Sequence, residues 1–281
     1  MFGAGPWCAH PGCTRLRGMN LLVLLAGVAD PRHPLPNPLN AAALAAHRAR
    51  HPQLSPFDEA ALECALKLRD ADERGAIRAL VGAASAEDPL LRQVAGFRLE
   101  AVQGLSLAEA PAWDAVRLAR RLAGWISTLA APPALILMGR EFGDEDDGVL
   151  PGALAEALGW PLIGQVLKVQ AGGDGLLALR QQGGGLERLQ HVGPAVLALV
   201  NHTSNRLRHP LLKNVMAARR QSFELAVLPA DPAGCEAPDG LRCAGLQAVP
   251  APSRAAACRM LDGPLPAQAA AIVRELIGEA A

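Results

Sequence analysis

The sequence predicts an α/β fold in which helices cover both faces of a parallel sheet. Five apolar, β-rich segments recur along the chain, near residues 21–26, 76–82, 99–102, 134–138 and 195–200. Stretches with helical periodicity separate most of them, near residues 57–69, 87–96, 112–129 and 149–158. Strands that alternate with helices are typical of parallel sheets. With 281 residues and 51% hydrophobic content, the chain can bury one large core.

The first apolar run, residues 20–26, has two interpretations. Arg15 and Arg17 precede it, and Gly27 and Ala29 follow it as the small residues of a cleavage site do, a pattern typical of an exported protein. A strand buried on both faces gives the same run, and the alternation of elements downstream favours the strand. We therefore expect a cytoplasmic protein. No later run approaches the roughly 18 apolar residues of a membrane span, so no membrane insertion is expected.

Two of the predicted helices show which faces they bury. Before the helix at 57–69, Ser55 suits the N-cap, Pro56 the first helical position, and Asp58 the acidic position of a capping box. In the helix near 112–129, Arg117, Arg120 and Arg121 are expected to point largely outward. The residues expected to point inward are Val116, Ala119, Leu122, Ala123, Ile126 and Leu129.

The periodicity changes in the second half of the chain. Short apolar runs between 161 and 192 are divided by glycine clusters at 172–175 and 183–185, which predict hairpin turns and an antiparallel insertion. The stretch 229–256 is rich in Pro, Ala and Gly and has little periodicity, so it is predicted to be an extended arm. A closing helix is expected near 265–278.

Charge, cysteine spacing and missing motifs exclude several functions. Lys+Arg and Asp+Glu both number 27 and aromatic residues make up only 3%, so nucleic acid is not an expected partner. The six cysteines form no CxxC pair, so no metal site is expected. The chain also lacks GxxxxGK[ST], GxGxxG after a strand, GxSxG and HExxH. Catalysis by side chains is therefore not expected.

A strand, a loop dense in glycine and acid, and a helix start follow one another between Leu135 and Pro151. Ligands of open parallel sheets lie at strand carboxyl ends, and a helix N-terminus offers free N–H groups to phosphate. The loop is therefore a candidate nucleotide site. The alternative is an exposed acidic loop without a ligand, since the carboxylates between Asp144 and Asp147 would repel phosphate unless they point away.

The segment 205–220 combines basic residues with an apolar Leu211-Leu212 tip before a short helix. An exposed leucine surrounded by cations is a candidate docking anchor, because binding hot spots place an apolar side chain within a polar rim. The alternative is an ordinary basic helix lying on the sheet. Residue types alone do not decide between them.

These segments together resemble the electron transfer flavoprotein β-subunit family from Met19 onward. Residues 55–63, Ser-Pro-Phe-Asp-Glu-Ala-Ala-Leu-Glu, are similar to the family's Asn-Pro-Phe-[Asp/Cys]-Glu segment. Residues 139–150 are similar to its nucleotide loop, in which Gly-[Lys/Arg]-[Gln/Glu] leads to an Asp-rich run and a helix. Residues 208–220 are similar to its Pro-Arg-Tyr…Leu-Pro-Asn-Ile-Met recognition loop.

The resemblance implies a Rossmann-like fold in three parts: an extension at 1–18, the α/β domain at 19–228, and an arm and helix at 229–281 that pack on an α subunit. It implies FAD held mainly by that α subunit and, in a pocket of this chain, AMP or, as in electron-bifurcating members of the family, a second FAD. The implied pocket wall is Leu24, Ser55, Pro56, Phe57, Asp58, Val81, Gly139, Arg140, Glu141, Phe142, Gly143, Asp144, Glu145, Asp146, Asp147, Gly148, Val149 and Leu150.

The resemblance also implies partners and a docking loop. Flavoprotein dehydrogenases would supply electrons, and an electron transfer flavoprotein-quinone oxidoreductase would accept them. Leu212 takes the place of the leucine that anchors the dehydrogenase, and the other implied docking residues are Arg208, Asn214, Met216, Arg219 and Arg220. The alternative function is a nucleotide-binding or structural module of the same fold that has lost electron transfer.

One departure from the family concerns the end of the nucleotide loop. The family has a polar run there, whereas this chain has Gly148, Val149 and Leu150, followed by Pro151. Polar side chains that would hold a pyrophosphate are thus missing, and Pro151 has no N–H to offer. The expected occupant of the pocket is therefore AMP or nothing, and not a second FAD.

Overall fold

Strands and helices alternate through most of the computed structural model, which describes residues 19–71, 75–106, 114–144, 146, 148–172, 175–230 and 260–277. The strands are β1 (Asn20–Leu25), β2 (Val28–Ala29), β3 (Pro52–Gln53), β4 (Ala76–Gly82), β5 (Ala101–Leu105), β6 (Leu135–Gly139), β7 (Leu162–Gly172), β8 (Gly175–Gln182), β9 (Gly185–His191), β10 (Ala195–Leu199) and β11 (Leu225–Ala226). The helices are α1 (Ala41–Arg50), α2 (Pro56–Ala71), α3 (Pro89–Ala95), α4 (Ala115–Ser127), α5 (Leu150–Leu158), α6 (Leu212–Ala218) and α7 (Leu265–Ile277).

The central sheet of the described residues has the order β11-β5-β4-β1-β6-β10-β7-β8-β9. From β11 to β7 neighbouring strands are parallel, and β1 lies between β4 and β6, with Val23 opposite Ala79 on one side and Leu137 on the other. The strand interpretation of the first apolar run is confirmed. Cleavage after Ala29, as an exported protein would require, would remove this central strand.

Helices cover both faces of the sheet, as predicted. Leu21, Val23 and Leu25 point toward α2 and α3, whereas Leu22 and Leu24 point toward α4 and α5. All five side chains are almost fully buried. Because both faces of β1 are covered, the strand reads as one continuous apolar run in the sequence. The α/β fold class is confirmed.

The antiparallel insertion is also where the glycine clusters predicted it. β7 pairs with β8 up to Gly172 opposite Gly175, and β8 pairs with β9 up to Gln182 opposite Gly185. Gly183 adopts a left-handed φ of +54° in the second turn, a conformation that glycine adopts without steric cost. The two turns therefore lie at the predicted positions.

The buried face of α4 was predicted correctly for Ala119, Leu122 and Ile126, but wrongly for Val116 and Arg121. Val116 is 46% exposed, whereas Arg121 is only 7% exposed and points inward. The buried residues are Ala115, Leu118, Ala119, Leu122, Trp125 and Ile126. Arg121 tolerates burial because its Nε donates to the carbonyl of Pro229 at 2.8 Å and its guanidinium also reaches the carbonyl of Leu228 at 3.2 Å. Helical periodicity alone could not reveal these distant acceptors.

The chain divides into two units, Met1–Leu246 and Gln247–Ala281, and each is described by itself. The sheet belongs to the first unit. In the second unit α7 forms as predicted, and its apolar residues Leu265, Ile272 and Val273 are exposed. The predicted arm at 229–256 lies outside the described residues except for its first two. Among the described residues, no helix is both long and apolar enough to span a membrane.

Candidate nucleotide pocket and docking surface

The candidate pocket lies where the carboxyl ends of β1 and β6 meet the start of α2. The chain passes from β1 to β4 on one side and continues at β6 on the other, which is the switch point at which open α/β sheets bind ligands. Gly139 ends β6 against this helix start, and a Cβ there would lie 2.6 Å from Cβ of Phe57. Only glycine allows this approach, so Gly139 fixes the floor of the crevice.

Asp58 joins α2 to the end of β1. Its carboxylate accepts hydrogen bonds from the N–H groups of Ala26, Gly27 and Ser55, each at 3.0 Å, and Ser55 Oγ accepts one from the Asp58 N–H. The last two contacts are the predicted capping box. Burial raises the pKa of Asp58, and the hydrogen bonds from these N–H groups oppose the rise. Asp58 is fully buried, so its carboxylate acts on the protein backbone.

Arg48 closes the same segment from the other side, and the sequence did not point to it. Its guanidinium donates to the carbonyl oxygens of Ala26 and Gly27, both at 2.7 Å. Arg48 belongs to α1, a helix that was not predicted although Asn40 caps it by accepting from the Ala43 N–H at 2.9 Å. The turn after β1 is thus held through both its N–H and its carbonyl groups.

We expect Asp58→Ala to lower the free energy of unfolding by about 2–4 kcal/mol, because three buried N–H groups lose their acceptor. Chemical denaturation of the purified protein measures this change. Asp144→Ala is the matched control, since Asp144 is exposed and its carboxylate accepts a long 3.4 Å contact from Ala29 N–H. The control should change stability by less than about 0.5 kcal/mol. Equal effects of the two substitutions would contradict this role for Asp58.

Asp146 occupies the N-terminus of α5. One carboxylate oxygen accepts from the N–H groups of Val149 at 2.9 Å and Leu150 at 3.2 Å, and the other accepts from Phe142 N–H at 3.2 Å. Asp146 is only 5% exposed. Two of the N–H groups at this helix N-terminus, those of Val149 and Leu150, are therefore bound to an acid of the same loop instead of being free for a phosphate.

Arg140 follows Gly139, the last residue of β6, and contacts the start of α2. Its guanidinium carbon lies 5.4 Å from the ring centroid of Phe57, and it forms an ion pair with Glu141. Its Nε is buried and has no acceptor among the described residues. Among the described residues of the loop, this Nε is therefore a buried donor without a partner.

The wall residues implied by the resemblance fall into different environments. Leu24, Val81, Phe142 and Leu150 have 0% exposure, so their side chains are part of the core. Ser55 is also buried, whereas Arg140, Glu141, Gly143 and Gly148 are partly accessible and Val149 is exposed. Glu145 and Asp147 lie outside the described residues. The accessible groups thus come mainly from the loop after β6.

The α5 N-terminus as this chain arranges it offers a nucleotide phosphate few free N–H groups. Asp146 holds the N–H groups of Val149 and Leu150, and Pro151 has none. To reach these two N–H groups, a phosphate would have to displace the buried carboxylate of Asp146. The two negative charges would then repel each other at close range. Nucleotide binding at this position would therefore require the loop to rearrange.

The docking segment places Leu212 at the surface. Leu212 is 77% exposed at the first residue of α6, next to Leu211 at 60%, and Met216 one turn later is 48% exposed. Ala218 at the end of the helix is buried, so α6 is attached at one end and presents its start to solvent. Arg219 and Arg220 are exposed behind it. Leu212 is therefore not a core residue.

Arg208 differs from the other docking residues because it is fully engaged within the chain. Its guanidinium binds both carboxylate oxygens of Glu63, at 2.9–3.3 Å, and Asp70 at 2.5 Å. These hydrogen bonds raise the pKa of Arg208. Glu63 is 4% exposed, so this buried acid depends on Arg208 for its charge partner.

Known proteins that are similar to this chain match most of the part that contains the candidate pocket and the docking segment. A family model described as an electron transfer flavoprotein domain matches residues 43–231. Proteins named electron transfer flavoprotein subunit beta include one from Mycobacterium leprae, 27% identical over 217 residues, 74% of this chain and 80% of its own length. Another, from Syntrophomonas wolfei, is 26% identical over 182 residues, 63% of this chain and 68% of its own length. A probable electron transfer flavoprotein subunit beta of Schizosaccharomyces pombe is 27% identical over 172 residues, 59% of this chain and 65% of its own length.

Proposed function

The chain belongs to the electron transfer flavoprotein β-subunit family, and from this premise we propose that it is the β subunit of a heterodimeric electron carrier. In this proposal the heterodimer works in the cytoplasm. It accepts electrons from flavoprotein dehydrogenases and passes them to an electron transfer flavoprotein-quinone oxidoreductase. The family match supports the electron-transfer role, and the partner proteins are part of the proposal.

The exposed start of α6 is the observation that most supports docking of a dehydrogenase. The 77% exposed side chain of Leu212 offers apolar surface that a partner can bury, and burial of apolar surface stabilises a complex. Leu211 and Met216 widen the apolar area, while Arg219 and Arg220 supply a cationic rim. Apolar centres with polar rims are the usual form of protein interfaces.

FAD, held mainly by the α subunit, supplies the one- and two-electron chemistry in this proposal. This chain contributes surfaces and no catalytic side chain. Its α7 residues Leu265, Ile272 and Val273 form an exposed apolar stripe at helical spacing, which suits packing on an α subunit. The proposed arm, residues 229–256, would pack on the same α subunit.

We further propose that the pocket of this chain holds AMP or nothing. Asp146 already binds the N–H groups of Val149 and Leu150, which favours an unfilled phosphate position. A second FAD would need additional phosphate ligands, and Val149 and Leu150 have no polar side chains. The pocket therefore has no part in electron flow.

Co-expression with an electron transfer flavoprotein α subunit tests the function. The purified product should be a yellow heterodimer, and denaturation followed by chromatography should release one FAD and at most one AMP per heterodimer. Two FAD per heterodimer would contradict the proposal for the pocket. A colourless single chain would contradict the carrier function and favour a module of the same fold that has lost electron transfer.

A further inference from the structure

One face of α2 holds the segment that leads into the docking helix. Glu63, Lys67 and Asp70 lie four and three residues apart, so their side chains share one face of the helix over two turns. Glu63 and Asp70 bind the guanidinium of Arg208, and Lys67 binds the carbonyl oxygen of Ser204. These contacts span 137 to 145 positions of sequence, so they join two separate parts of the chain.

The backbone of the segment is fixed along with the side chain. The N–H of Arg208 also donates to Glu63 Oε2 at 3.1 Å. Asn205, only 2% exposed, donates from Nδ2 to the carbonyl of Leu167 at 2.7 Å. The chain is thus pinned at residues 204, 205 and 208, four residues before α6 begins.

Two apolar contacts fix the helix itself. Pro210 packs against the backbone of Gly96 at the end of α3, where an added Cβ would lie 3.5 Å from Cβ of Pro210. Ala218 is buried at the other end of α6. The end of α6 at Ala218 is buried, whereas its first residue, Leu212, is exposed. The direction in which Leu212 points therefore depends on the contacts before residue 210.

We propose that Glu63 and Asp70 are positioning residues that, through Arg208, set the orientation of Leu212 for docking. The inference rests on the proposed function, since it needs Leu212 to enter a partner's pocket. A lysine at 208 would keep the charge but lose the planar fork that binds two carboxylates at once. A mobile Leu212 would lose more conformational freedom on binding than a fixed one. The partner would therefore bind more weakly, while electron transfer in the bound complex stays the same.

Arg208→Lys in the co-expressed heterodimer tests the proposal through the rate at which a flavoprotein dehydrogenase of the host reduces it. We expect KM for the heterodimer to rise about tenfold at unchanged kcat, with unchanged FAD content. Arg180→Lys is the matched control, because Arg180 pairs with Glu187 at 2.7 Å on the antiparallel strands, and its KM should stay unchanged. Asp70→Asn removes only the half-exposed partner of Arg208, preserves the buried pair with Glu63, and should raise KM in the same direction.

The double variant Arg208→Lys/Leu212→Ala separates this inference from the docking proposal. If Arg208 acts through Leu212, its substitution should add little to the effect of Leu212→Ala. Full additivity, or a KM as unaffected as that of Arg180→Lys, would overturn the positioning role while leaving the docking of Leu212 intact. A heterodimer whose KM is unchanged by Leu212→Ala alone would overturn the docking proposal itself.

Discussion

Leu212→Ala should lower the affinity of a partner dehydrogenase for the heterodimer by about 30- to 1000-fold, with heterodimer yield and FAD content unchanged. The expected loss is large because a central apolar anchor contributes most of its energy only when a partner's pocket buries it. The rate of flavin reduction, followed over a range of heterodimer concentrations, measures the change. Leu35→Ala is the control, because Leu35 is 61% exposed on a different loop.

A structural role for Leu212 would give a different result. A buried leucine loses about 2–5 kcal/mol of stability when it becomes alanine, but Leu212 is 77% exposed and its truncation should leave the melting temperature unchanged. A lowered melting temperature with normal reduction kinetics would reject the anchor. A melt and a reduction assay on the same preparation therefore decide between the two roles.

Truncation after Leu228 should abolish heterodimer formation. The cut removes the predicted arm and α7, whose exposed residues Leu265, Ile272 and Val273 need a partner surface to become buried. It preserves β11 and the Leu228 carbonyl that Arg121 binds, so the sheet should still form. Co-purification with a tagged α subunit, with the FAD-to-protein ratio, measures the outcome.

A point substitution separates α7 from the arm in this experiment. Ile272→Glu in the full chain places a charge on the exposed apolar stripe and should weaken association without affecting the α/β domain. If the truncated chain co-purifies with the α subunit at full FAD content, the assignment of residues 229–281 to that interface is wrong.

Local signals in the sequence predicted the fold well. Ser55, Pro56 and Asp58 marked the start of α2 because a capping box needs only neighbours in sequence, and the structure has both of its hydrogen bonds. The glycine clusters marked the turns between β7, β8 and β9 for the same reason. The continuous apolar run of β1 indicated a strand buried on both faces.

Contacts between residues far apart in the chain could not be predicted from the sequence. The sequence predicts that Arg121 of α4 points outward. In the structure it is buried and donates hydrogen bonds to the carbonyl groups of Leu228 and Pro229. The sequence around Leu212 suggests that Arg208 is an exposed cation. In the structure its guanidinium donates hydrogen bonds to Glu63 and Asp70, which lie 145 and 138 positions away. Asp146 reads as one acid among several, and only the fold shows that its carboxylate takes the α5 N–H groups. Hydrophobic periodicity does not predict the hydrogen-bond partners of these three side chains.

Electron flow through the wild-type heterodimer tests the central claim most directly. Under anaerobic conditions, a catalytic amount of a flavoprotein dehydrogenase and its substrate are added to the purified heterodimer while the visible absorbance of the flavin is recorded. The proposed carrier should be fully reduced and then reoxidised by an electron transfer flavoprotein-quinone oxidoreductase. A flavin that stays oxidised with every flavoprotein dehydrogenase of the host, or an α subunit that is reduced equally fast without this chain, would contradict it.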